Sequence, residues 1–364
     1  MKHAHKQAVG IIVAAAVVAG VASYAYLRTC GCKGKDHQAA TQAAPAQAVP
    51  AQTPAAANVA PQAAPSAAPA GVPIAMASAQ PTPAVAAVTP ALMASATSAP
   101  AGSIDAQLQQ GRSLLQAGKL LAARDLLSGL FFSGTLSAAQ EQQAVQDLTM
   151  LAEMTIFNPR IVGDDPYAMQ YTIRSGDNLI AVERRLALHM PTQILVKINN
   201  LGSAAALRAG ATLKLIQGPV HAVVSKSRFA MDLYLQRDNG SRVFLIRLPV
   251  GLGTDGSTPL GSFQVELGKK LQNATWNPPP SSGKTGVYKP GEPDYPLGKG
   301  GYWISLVGTE PATAACKGYG IHGTNQPDSI GKNASLGCIR LDDHNIELVF
   351  SLLYEKWSTV TIVP

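Results

Sequence analysis

The sequence predicts a multidomain chain: a β-rich C-terminal domain on an antiparallel framework, a short helical hairpin region, a disordered Ala/Pro-rich linker and an apolar N-terminal helix. Three patterns carry this prediction. Apolar residues alternate with polar ones around 229–248, leucines recur at helical spacing across 104–157, and the N-terminal part joins a charge-free apolar run to a tract of Ala, Pro, Gln, Ser and Thr.

Residues 1–7 form a short basic N-terminus with Lys2 and Lys6. The run 8–27, Ala8 to Leu27, carries no charge and reaches the ~20 residues that a membrane-spanning helix needs. It is expected to be a transmembrane anchor or uncleaved signal. Ser23-Tyr24-Ala25-Tyr26 offers no small-x-small cleavage site, and Arg28 and Thr29 spoil a lipobox before Cys30. Arg28, Lys33 and Lys35 balance the basic residues ahead of the run, so charge does not set its orientation. Residues 28–103 lack the large apolar side chains needed to offset backbone entropy. They read as a disordered tether with an upper reach on the order of 200 Å.

The net charge of +7 over 364 residues favours an anionic surface only weakly, and no basic stripe interleaved with aromatics marks a nucleic-acid face. Four cysteines make no disulfide framework in a chain this long. Cys30 and Cys32 lie just past the apolar run, where they can pair between chains, be acylated or stay idle.

Residues 104–160 read as two helices broken around Ser133-Gly134, with Leu108, Leu114, Leu115, Leu126 and Leu127 on the first turns and Val145, Leu148 and Leu151 later. The stretch from Gly111 to Gly118, followed by Ala123-Arg124-Asp125-Leu126-Leu127, resembles a tetratricopeptide helical pair. A partner-binding surface and a plain spacer are both open. Next come Tyr171-Thr172-Ile173, Ser175-Gly176-Asp177-Asn178-Leu179, Ile198-Asn199-Asn200-Leu201 and Leu207 to Leu215. Residues 169–217 thereby resemble a LysM domain, which implies a small α+β (βααβ) unit binding N-acetylglucosamine-containing glycan. By that resemblance Gly176, Asp177, Asn178 and Leu179 lie at the glycan-binding first turn. The segment from Arg184 to Pro191 departs from the usual compact helix break.

In residues 219–364, Phe229, Met231, Leu233 and Leu235 alternate with Ala230, Asp232 and Tyr234, and Asn239-Gly240 supplies a hairpin turn before Val243 to Leu248. Pro259 and Gly261 turn the chain, and the Pro- and Gly-rich excursion from Asn277 to Gly301 has the composition of a lid. Trp276, Tyr288 and Trp303 are the aromatic candidates for covering a ligand.

The chemistry concentrates in Ile321-His322-Gly323-Thr324 and Ser335-Leu336-Gly337-Cys338-Ile339-Arg340, with Cys338 lying 16 positions after His322. A thiolate attacks acyl groups well but is scarce at a free-cysteine pKa of about 8.5, so a histidine partner matters. Gly337 lets the backbone approach a reacting carbonyl. Main-chain N–H groups around Gly337 and Cys338 are candidate oxyanion donors, a contribution of roughly 3–4 kcal/mol per donor. Arg340 after the nucleophile turn is suited to docking a carboxylate. Cys316, His322, Cys338 and His344 match none of the short paired spacings of structural zinc sites, so no metal and no cofactor are expected.

The His-Gly-Thr-Asn run at 322–325, Ser329-Ile330-Gly331-Lys332, the Ser-x-Gly-Cys-Ile-Arg run at 335–340 and the upstream Thr258-Pro259-Leu260-Gly261-Ser262-Phe263 together resemble the catalytic domain of L,D-transpeptidases, the YkuD family, over residues 219–364. The resemblance implies a β-rich domain whose Cys338 attacks a peptidoglycan stem peptide at diaminopimelate, releases D-alanine and forms a thioester resolved by an amine. It gives His322 the part of general base and Gly323 that of the carbonyl orienting the imidazole, while Ser335, Gly337 and Arg340 shape the pocket. Leu336 occupies the position where many members carry a second histidine. Water as acceptor would make an L,D-carboxypeptidase, a protein lysine would make an anchoring enzyme, and an inactive wall-binding scaffold is the non-enzymatic alternative. The expected partners are peptidoglycan stem peptides and glycan strands, with the membrane reached through the N-terminal helix and no nucleic acid. The C-terminal domains then lie outside the cytoplasm, in the bacterial cell envelope.

Overall fold

The computed structural model describes residues 102–279 and 282–364; the apolar run 8–27, the tether up to residue 101, Cys30 and Cys32 lie outside the described residues. Three helices open it, where the leucine periodicity suggested two: α1 (Ile104–Gln116), α2 (Leu120–Phe132) and α3 (Ala138–Thr155). The missed break falls at Gly118, whose φ of +71° ends α1 in the left-handed region that glycine adopts without strain. Ser103 caps α1, and Ser137 with Gln140 forms a capping box on α3. Leu108, Leu127, Leu148 and Leu151 bury against one another and against Phe244 of the sheet described below.

The next segment runs β1 (Ala168–Thr172), α4 (Leu179–Arg185), α5 (Thr192–Ile198) and β2 (Thr212–Ile216), with β1 and β2 antiparallel. Two buried cations fasten it to the helices. Arg124 of α2, fully buried, makes a bidentate pair with Asp165 at 2.8 and 3.0 Å, just ahead of β1. Lys214 of β2 donates to the carbonyls of Thr155, Asn158 and Arg160 at the C-terminal end of α3, where helix carbonyls lack intrahelical partners.

The C-terminal part is a mixed eight-stranded sheet of order β11-β9-β8-β7-β12-β3-β4-β5. Its strands are β3 (Val220–Ser225), β4 (Ala230–Gln236), β5 (Arg242–Pro249), β7 (Gly261–Leu271), β8 (Trp303–Gly308), β9 (Gly320–Gly323), β11 (Ile339–Leu341) and β12 (Thr359–Val363). Short β6 (Leu252–Gly253) and β10 (Asn333–Ser335) pair separately, and α6 (Asp343–Leu352) follows β11. The expected antiparallel framework holds for most strand pairs and is corrected at three: β12 runs parallel to β3, β11 to β9 and, outside the large sheet, β10 to β6. Alternation marks a strand but not its neighbour, and α6 is the crossover that returns the chain to insert β12 between β7 and β3.

Strand β4 is buried on both faces, because the helices cover one side of the β4–β5 ribbon through Phe131, Phe132 and Phe244 while the main core covers the other. That core is continuous, running from Ala152 and Ile156 of α3 through Leu179, Leu195 and Leu215 to Val224, Phe263, Ile321 and Val360. The segments that composition separates share one interior.

Removing Arg124 strands a buried carboxylate. Arg124→Met is expected to cost about 3–5 kcal/mol in chemical denaturation, and adding Asp165→Leu should recover much of it. A loss below ~1 kcal/mol would mean that water solvates Asp165.

Candidate active site

Parallel pairing of β9 with β11 sets Ile339 beside Ile321, Arg340 beside His322 and Leu341 beside Gly323. Across the antiparallel β8–β9 pair, Trp303 lies opposite His322, and the two rings stack with centroids 5.5 Å apart and planes 15° apart. Directly paired residues project to one face of a sheet. Trp303, His322 and Arg340 therefore make one row over three strands, with Cys338 at the mouth of β11.

His322 is 7 % exposed, and its Nδ1 lies 2.5 Å from the Gly323 carbonyl oxygen. That oxygen only accepts, so Nδ1 carries the proton and Nε2 presents its lone pair. Close packing requires Gly323: a Cβ there would approach the Leu297 carbonyl oxygen to 2.5 Å. Burial pulls the His322 pKa down to about 4, the Gly323 bond opposes this, and the Arg340 charge adds to the lowering. The imidazole is neutral at neutral pH, the state a general base requires.

The Cys338 thiol lies 3.8 Å from the Gly318 carbonyl oxygen. Burial pushes its pKa up, while a main-chain hydrogen bond from Gly320 and the Arg340 charge pull it back only in part. At rest the site therefore holds a neutral thiol and a neutral imidazole.

Hydroxyl groups hold the nucleophile turn. Buried Ser335 accepts the Gly337 N–H at 3.1 Å and donates to the Cys338 carbonyl at 2.6 Å. Gly337 has φ +133°, and a Cβ would stand 2.6 Å from the Tyr319 ring. Of the candidate oxyanion donors, the Gly337 N–H is engaged by Ser335, whereas the Cys338 N–H makes no hydrogen bond to a described residue. Arg340 ties its backbone to Gly251 at 2.8 and 2.9 Å and reaches Gln326 Oε1 at 3.2 Å, with its Nε buried and unpartnered. Leu336, two residues before Cys338, is 52 % exposed.

The predicted glycan residues serve other ends. Leu179 is 1 % exposed, an interior side chain with no surface to offer a sugar, which corrects its assignment. Asn178 caps α4 by accepting the Ala181 N–H. The Asp177 carboxylate accepts from the Tyr171 hydroxyl, the Arg174 N–H and Arg185. Gly176 turns the chain with φ +83°. Trp276 and Tyr288 pair with each other through two 2.9 Å main-chain bonds and pack beside Trp303, within the excursion from β7 to β8. Cys316 packs against the core. Sequence reasoning missed Tyr319 and the His322-stacking role of Trp303; the aromatic residues upstream of the His322 motif were the available signal.

Residues 219–362 match the family model of YkuD, described as the L,D-transpeptidase catalytic domain. This segment is a YkuD L,D-transpeptidase catalytic domain. YqjB of Bacillus subtilis (strain 168), provisionally named an L,D-transpeptidase, is 38 % identical over 96 residues, which is 26 % of this chain and 46 % of YqjB. ErfK/SrfK of Escherichia coli (strain K12), named an L,D-transpeptidase with the same reserve, is 29 % identical over 136 residues, 35 % of this chain and 39 % of its own length. The chain thus spans less than half of either relative. A solved L,D-transpeptidase from Mycobacterium smegmatis aligns with 43 % of this chain and 64 % of its own at 16 % identity, with a TM-score of 0.29.

Two pH responses follow. Alkylation of Cys338 by iodoacetamide should rise through a higher pH than for free cysteine; a plateau already reached below neutrality would instead mark a resting thiolate–imidazolium pair. His322 and His221, both held near pKa 4 by burial against an ordinary value of 6.5, bind protons more readily unfolded than folded. Their contribution to stability is complete above pH 6.5 and is lost as pH falls toward 4. Urea midpoints measured across that window should fall with acid, and His221→Asn should flatten the slope.

Proposed function

We propose that the protein is a peptidoglycan L,D-transpeptidase. Cys338 Sγ attacks the carbonyl carbon of the diaminopimelate–D-alanine bond of a stem tetrapeptide, and His322 Nε2 receives the thiol proton. The C–N bond breaks as that proton passes to the leaving D-alanine amine, leaving a thioester on Cys338. An acceptor amine from a second stem attacks the thioester, gives a proton to Nε2 and forms the cross-link, and the proton returns to sulfur. Gly323 orients the imidazole, Ser335 and Gly337 shape the turn, and Arg340 receives a substrate carboxylate. The observation that carries this reading is a buried His322 with Nδ1 on the Gly323 carbonyl oxygen, set by strand register beside the Arg340-bearing strand that Cys338 opens, inside the matched domain.

In the same reading 169–217 is a LysM module that brings glycan strands to the enzyme. The βααβ order supports it, while the contact surface must come from residues other than Leu179. Residues 8–27 anchor the chain in the inner membrane with the catalytic domain in the periplasm. Among the described residues no helix is long and apolar enough to cross a membrane.

The test incubates the purified protein with a diaminopimelate-containing disaccharide tetrapeptide and follows intact mass and products. The expected result is a transient thioester-sized adduct, loss of D-alanine and linked dimers, all absent in Cys338→Ala. Trimmed monomer without dimer would assign hydrolysis instead, and neither adduct nor product would sink the enzymatic reading.

A further inference from the structure

Among motif residues given no role so far, the strongest feature is a buried hydroxyl under the nucleophile turn. Thr258 is 1 % exposed. Its Oγ1 accepts the Gly253 N–H at 2.8 Å and donates to the Gly337 carbonyl oxygen at 2.9 Å. Its own carbonyl and that of Gly256 accept from the Lys226 ammonium, at 2.6 and 3.0 Å. Gly253 sits so close that a Cβ would lie 2.7 Å from Gly337 Cα, so the loop 253–258 and the turn touch backbone to backbone.

This geometry fixes a direction. In a trans peptide the carbonyl and the following N–H point opposite ways. Holding the Gly337 carbonyl down on Thr258 therefore aims the Cys338 N–H away from the loop. Ser335 already engages the Gly337 N–H and the Cys338 carbonyl. Every other hydrogen-bonding main-chain group of Gly337 and Cys338 is thereby occupied. We infer that Thr258 is a positioning residue, its hydroxyl setting the plane of the Gly337–Cys338 peptide so that the Cys338 N–H serves as the main-chain oxyanion donor. The role rests on Cys338 acting as the acyl nucleophile proposed above. Lys226 clamps the loop from its other side and supports the same geometry.

The chemistry separates this role from a merely structural one. Acylation develops an oxyanion on the substrate carbonyl, whereas alkylation by iodoacetamide displaces iodide at carbon and develops none. Thr258→Val keeps the shape and removes the hydroxyl; Thr258→Ser keeps it. In the full-length protein, Thr258→Val should acylate on the disaccharide tetrapeptide about 100-fold more slowly, with the fall in kcat and little change in KM. Its iodoacetamide rate and the pH profile of that rate should stay at parent values, and Thr258→Ser should recover most of the acylation. Acylation at the parent rate in Thr258→Val, or alkylation falling in step with acylation, overturns the inference. A parent that alkylates at Cys338 but never acylates removes the transpeptidase reading itself, and this role with it. If Thr258→Val does not fold, Lys226→Met carries the test: slower acylation with unchanged alkylation supports the clamp, and equal rates for both overturn it.

Discussion

A parallel ladder only three residues long, β9 against β11, governs the site. It sets Arg340 beside His322 and places Cys338 at the strand's mouth. A slip of one residue would turn His322 and Arg340 to opposite faces, because side chains alternate along a strand. So short a ladder needs outside support. Trp303 stacks on His322 from β8, Gly251 brackets Arg340 with two main-chain bonds, and Leu297 leaves room for nothing larger than glycine at 323. Side chains far apart in sequence thus hold one register.

The site's electrostatics follow from that enclosure. Burial disfavours charge on both partners, raising the thiol and lowering the imidazole. A neutral pair avoids holding two desolvated charges at rest. Arg340 shares the same face with its Nε unpartnered and its pKa lowered by burial, an arrangement suited to a negatively charged ligand group.

Much of this was readable beforehand because the informative residues are chemically specific. The strands from Phe229 to Leu248, the hairpin at Asn239-Gly240, the His322 contact with the Gly323 carbonyl and the need for Gly337 all have local signatures. The parallel insertion of β12 did not, because alternation is blind to strand order. The third helix hid because Leu114 to Leu127 keep an apolar rhythm straight through Gly118. The Leu179 assignment failed for a different reason: a motif position at a turn says nothing about which way the side chain points, and this one points inward. Thr258 was visible only as one letter of a motif, since its partner Gly337 lies 79 residues away.

The interior that runs without a seam from α3 through the βααβ segment into the sheet has a mechanical meaning. Segments strung on flexible joints average over many separations, and a ligand held by one meets the other only by chance encounter. Here the segments that carry the Gly176 turn and the Cys338 thiol share one packed interior, so moving one against the other means tearing that packing open rather than swinging a joint.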